Sequence, residues 1–128
     1  MLIRLSAVAL GAVLGAWLRW GVSTWLNPAF TPLPLGTLLA NLVGAYVIGL
    51  AMAGFGQNGS LGPELRLFLV TGLLGALTTF STFSAESVTL LQRQMYGWAA
   101  THMILHVAGS LLMTVLGMWT WNALRGNA

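Results

Sequence analysis

Thr71-Gly72-Leu73-Leu74-Gly75-Ala76-Leu77-Thr78-Thr79-Phe80-Ser81-Thr82-Phe83-Ser84 decides how the rest of the chain is read. The stretch lies inside the third long apolar segment, where an ordinary membrane helix would be uniform Leu, Ile and Val. It holds instead Gly72 and Gly75, then five hydroxyl residues from Thr78 to Ser84 interleaved with Phe80 and Phe83. Glycine and clustered Ser/Thr sustain a helix poorly and leave backbone groups free. In lipid, loosened backbone is tolerated only where it is buried in protein or lines a polar cavity. The stretch therefore predicts a third helix broken near its middle, over Gly75 to Thr79, with an ion or substrate site at the break.

Composition supports a membrane setting for that helix. Of the 128 residues, 57% are hydrophobic and 5% charged, against about a quarter charged in soluble domains. At roughly 20 residues per crossing, the chain holds about four spans and leaves no room for a soluble domain. An all-α membrane protein is expected, a single unit over 1–128 with spans at about 2–26, 36–55, 64–92 and 96–124. Cysteine is absent, which excludes disulfides and thiolate-bound metals. The net charge of +3 comes from scattered arginines, with no lysine and no aspartate. That pattern points to lipid headgroups as neighbours, not to nucleic acid.

In the first span Arg4 precedes an apolar run too long for a signal peptide, so the span is read as retained. Gly11 and Gly15 form a GxxxG pattern, read as close packing within the subunit. Arg19 stands among Trp17, Trp20 and Trp25 near the far end. Snorkelling to the interface is the favoured reading there, and a vestibule charge that attracts anions is the other. Pro28, Pro32 and Pro34 then force a turn. The second span carries a single amide at depth, Asn41, beside small-residue faces Ala40/Gly44 and Ala45/Gly49. Asn41 either ties two helices together or donates its amide hydrogens to a passing anion.

A polar, glycine-rich loop at 56–63 leads into the third span, about 29 residues long, or roughly 43 Å if fully helical. That exceeds one hydrocarbon thickness. Glu86 follows the expected break by about two turns and is placed toward the membrane surface or a vestibule. In the fourth span His102, His106 and Ser110 recur every four residues, on one helical face. His102 and His106 have metal-ligand spacing but no third ligand nearby in sequence, so a polar face is the preferred reading. Glu64 and Glu86 are the only carboxylates, and neither sits in a dyad-like arrangement. An enzyme is not expected.

Arg4, Arg66 and Arg125 fall on one side of the membrane, and Arg93 with Arg19 on the other. So weak a bias permits insertion both ways, and hence an antiparallel, dual-topology homodimer. Four helices alone leave little interior for a pathway, which also favours a dimer in which two copies of the third span meet. Phe80 and Phe83 are neighbours at i, i+3, surrounded by hydroxyls. Aromatic rings carry a partly positive edge, so such a surface can pass an anion without a full charge to trap it. Carbonyls freed at Gly75 and Thr78 would suit a hard monovalent cation.

These residues resemble the Fluc (CrcB) family of fluoride channels. The resemblance spans essentially the whole chain, and is carried by Gly75-Ala-Leu-Thr-Thr-Phe-Ser-Thr-Phe-Ser84 and by Gly36-Thr-Leu-Leu-Ala-Asn41. It implies passive fluoride export across a bacterial-type inner membrane by an antiparallel homodimer with two pores. It implies that Phe80 and Phe83 line the pores, that Asn41 donates to the ion, and that Ser81 and Thr82 supply hydroxyls. A polar track would fall on Thr37, Glu86, His106 and Ser110, with Arg19 as the vestibule arginine. His102 stands where a tyrosine is sometimes found. A structural Na+ at the dimer centre would be held by the main-chain carbonyls of Gly75 and Thr78 from both subunits. The alternatives are a small dual-topology, proton-coupled exporter of organic cations, which needs an ionisable group deep in the membrane, and a non-transporting membrane assembly subunit. Glu86 is the only candidate for that ionisable group.

Overall fold

A backbone in lipid can bond only to itself, so apolar runs of this length fold as helices. A computed structural model describes residues 1–56 and 61–126. Four helical stretches in it are long and apolar enough to cross a membrane: Leu2–Ala29, Leu35–Phe55, Pro63–Gln92 and Tyr96–Leu124. The four-span, all-helical expectation holds, and the chain is a multi-pass membrane protein. The loop expected at 56–63 lies mostly outside the described residues.

The first span is α1 (Leu2–Leu26), which tightens into a 3₁₀ turn at Asn27–Ala29. The second is α2 (Leu35–Gly56). The third begins as α3 (Pro63–Arg66), widens into a π-helical segment at Leu67–Leu74, and returns to a short turn, α4 (Gly75–Leu77). Thr78 and Thr79 are then extended, with φ/ψ of −84°/153° and −150°/118°, before α5 (Phe80–Gln92) resumes. Gly75, expected within the loosened stretch, keeps helical angles of −61°/−33°. The last span is α6 (Tyr96–Leu124). The turn before it places Gln94 at φ 58°, and Gln94 N–H and Met95 N–H donate to the carbonyls of Leu91 and Leu90.

α1 packs along the π segment and α4, while α2 packs along α6, with α5 also against α6. The first contact is made through glycine. A Cβ on Gly72 would lie 2.6 Å from the Val8 carbonyl and 2.9 Å from Gly11 Cα. The GxxxG face of α1 is thus spent inside the subunit. Ala40, Leu74 and Leu77 form one buried cluster where α2 meets the third span. Leu33, Leu90 and Ala99 form a second near the α5–α6 turn. Large apolar side chains such as Trp20, Ile104 and Leu112 remain on the outside, as a lipid solvent allows.

Candidate functional site

The site is built around the extended pair, because two extended residues inside a membrane helix leave backbone groups without helical partners. Asn41 of α2 takes up those of Thr79. Thr79 N–H donates to Asn41 Oδ1 at 2.7 Å, and Asn41 Nδ2 donates back to the Thr79 carbonyl at 3.1 Å. The second amide hydrogen is directed to His106 Nδ1 on α6, also at 3.1 Å. Asn41 therefore joins three spans. Gly44, one turn along α2, makes room for the Thr78 methyl group, which a Cβ there would strike.

Thr79 also caps α5. Its Oγ1 accepts from Thr82 N–H at 3.1 Å, donates to Thr82 Oγ1 at 3.0 Å and lies 3.2 Å from Ser81 Oγ. Such caps stabilise a helix start by about 1 kcal/mol. In an unbroken helix Thr79 N–H would bond the Gly75 carbonyl, and Thr82 N–H that of Thr78. Both donors are diverted here, one to Asn41 and one to Thr79 Oγ1. The Gly75 and Thr78 carbonyls are hard oxygen donors without those partners, and Gly75 is exposed on the flank of the protomer. Carbonyl oxygens of this kind are the donor type that could hold a hard cation.

Arg19 of α1 reaches the same turn of the third span: its Nε donates to the Ala76 carbonyl at 2.9 Å. Phe80 and Phe83 follow on α5 with ring centroids 5.4 Å apart, tilted by 49°. Phe80 is 77% exposed, whereas Phe83 is half-buried against His102 and His106. A groove of about 440 Å³ runs along this flank, lined by Asn41, Thr78, Thr79, Phe80, Phe83, His106 and Ser110 among others.

Behind Phe83 the polar residues continue inward. Thr37 is fully buried, and its Oγ1 donates to Glu86 Oε1 at 2.6 Å. Glu86 Oε2 lies 3.5 Å from His102 Nε2, and the His102 and His106 rings are 4.4 Å apart. The Glu86 side chain is 16% exposed and turned toward Thr37 and His102. The structure thus brings Thr37, Glu86, His102, His106 and Asn41 into one row ending at Thr79, while Ser110 lines the groove. Ser81 is exposed on the first turn of α5.

Two contributors were not singled out from sequence. Asn27 Oδ1 accepts from the N–H groups of Gly36 and Thr37, at 2.8 and 3.1 Å, and so caps α2 and orients Thr37. Its position at the head of a proline turn was the available signal. The role of Thr79 as a cap was legible in principle, since Thr is a preferred N-cap residue, but only once the helix start was known.

Fold and site together define a small helical membrane protein with a polar row buried among its spans and an aromatic and hydroxyl-lined groove beside it. A sequence model of the CrcB-like protein, Camphor Resistance (CrcB) family matches residues 6–118. A fluoride-specific ion channel FluC of Pseudomonas putida (strain W619) is 56% identical over 98% of this chain and 99% of its own length. One from Nitrosospira multiformis is 57% identical over 93% of each chain, and one from Cupriavidus taiwanensis 55% identical over 92% of this chain and 94% of its own. The chain belongs to the CrcB family.

Proposed function

We propose that this chain is the subunit of a fluoride-selective channel in a bacterial-type inner membrane, giving passive export of fluoride and lowering its cytoplasmic level. The observation that carries it is the 56% identity, over nearly the full length of both chains, to a protein named a fluoride-specific ion channel. The groove supports it chemically. Fluoride holds its water tightly, so a path must offer several donors in place of a hydration shell. Hydroxyls of Ser81 and Thr82, the amide of Asn41 and the ring edges of Phe80 and Phe83 provide them without a fixed charge that would trap the ion. Both hydrogens of Asn41 have partners within the subunit, so its donation to fluoride draws on the hydrogen shared with His106. Thr37, Glu86, His106 and Ser110 form the polar track beside this path, and Arg19 attracts anions at its mouth.

The functional unit in this proposal is an antiparallel dual-topology homodimer, with the interrupted third helices meeting at its centre. The exposed Phe80, the flank groove and the exposed Gly75 support this arrangement, because a second copy seated on that flank would cover them. Na+ would be held there by the Gly75 and Thr78 carbonyls of both subunits, adding positive potential along the anion path.

Fluoride efflux from liposomes carrying the purified protein tests the proposal, with chloride as control. Fast fluoride flux without a proton gradient is expected, with loss or strong reduction in Phe80→Ile and Phe83→Ile. Proton-coupled flux of an organic cation would instead favour the exporter, and absence of any flux the assembly subunit.

A further inference from the structure

The interior end of the polar row holds three side-chain atoms with nothing to bond. Glu86 Oε2, His102 Nε2 and His106 Nε2 are all buried and lack hydrogen-bond partners among the described residues. The two histidines are 1% and 4% exposed. Buried polar atoms left this way are costly and rare. One ligand-type atom from each of Glu86, His102 and His106 lies within 4.8 Å of the other two. The 3.5 Å between Glu86 Oε2 and His102 Nε2 is close to the ligand–ligand edge of about 3.4 Å that a tetrahedral site with bonds of 2.0–2.1 Å requires.

We propose that Glu86, His102 and His106 form a binding site for a borderline divalent metal ion, zinc above all, and that its occupation closes the neighbouring path. Two imidazoles and a carboxylate are a common zinc ligand set, with a fourth position left open. A dication also compensates the carboxylate, which among the described residues has only the Thr37 hydroxyl as a hydrogen-bond donor. The ligand that sequence spacing lacked comes from α5, where Glu86 stands across from both histidines of α6.

Closure follows from the tautomer of His106, a step that rests on the proposed role of Asn41 in the path. Thr79 N–H fixes Asn41 Oδ1, so the group facing His106 Nδ1 is the Asn41 amide donor. His106 Nδ1 therefore accepts, and in the neutral ring Nε2 carries the proton. Binding a metal through Nε2 moves that proton to Nδ1, where it meets the Asn41 donor head-on. The Asn41–His106 contact must then break, and the amide clasp on Thr79 is disturbed with it.

The test uses untagged, chelator-washed protein and zinc alone. The chain has two histidines and no cysteine, so imidazole signals in the zinc X-ray absorption spectrum report on this site and no other. One zinc per chain is expected, with two imidazole ligands. In His102→Gln and Glu86→Gln the affinity should fall by at least about tenfold, since loss of a ligand costs no less than loss of an outer-shell partner. Zinc should also slow fluoride efflux from wild-type liposomes, at concentrations at least about tenfold higher for His102→Gln. Zinc retained without imidazole ligation, or not retained, would overturn the site; should a variant fail to fold, the wild-type spectrum decides. Imidazole-bound zinc with undiminished efflux would overturn the closure. Absence of fluoride flux in zinc-free protein would remove the channel reading while leaving the zinc spectrum to decide the site.

Discussion

Asn41 satisfies the peptide of Thr79 through both ends of one amide, and touches α6 with the hydrogen left over. Removing it in Asn41→Ala leaves a backbone N–H and a carbonyl unpaired inside the membrane. Each orphaned group costs about 1–3 kcal/mol, so thermal unfolding in detergent should shift clearly downward. A melting curve that overlays the wild type would mean the clasp carries no weight. From sequence Asn41 stood between tying helices and serving an anion. Its partners lie 38 and 65 positions away, and no local pattern encodes such pairings. Phe80 and Phe83 were easier, because their relation is set by the i, i+3 geometry of one helix.

At the scale of elements, the third span shows how local weakness and tertiary opportunity combine. The weak helix formers from Gly72 to Ser84 marked the region where the chain could loosen. The extended residues are Thr78 and Thr79, where Asn41 and the Thr79 hydroxyl take up the freed donors, while Gly75 stays helical. The π segment at Leu67–Leu74 had no signal, since an apolar run reads alike for i+4 and i+5 bonding. Gly72 within it allows α1 to approach. A Cβ at that position meets backbone atoms of Val8, Gly11 and Ala12, which cannot rotate away. Gly72→Ala should therefore destabilise the fold by about 1–3 kcal/mol, the usual cost of overpacking, read as a lower denaturation midpoint. An unchanged midpoint would show that the helices separate freely.

The described residues present a largely apolar exterior with a polar-lined groove along the third span, and the proposed second copy would cover that groove. If Na+ links the two subunits there, replacing sodium with a bulky organic cation should lower the cross-linked dimer fraction and slow fluoride flux together. A cysteine introduced at Arg66, in a chain that has none of its own, should be labelled from both faces of the membrane if the subunits are opposed. No sodium dependence in either measurement would count against the central cation. Labelling from a single face would count against the antiparallel arrangement.

The sequence by itself determined the membrane setting, the four helical spans and the aromatic and hydroxyl character of the third. Transfer into lipid acts residue by residue, and helix geometry relates near neighbours, so a window of sequence contains both. Only the tertiary structure decided that Glu86 turns inward to Thr37 and His102, that Arg19 binds the Ala76 carbonyl, and that Asn41 holds Thr79. Those contacts join different helices, and their partners are selected by how the helices pack, with glycines setting the approach.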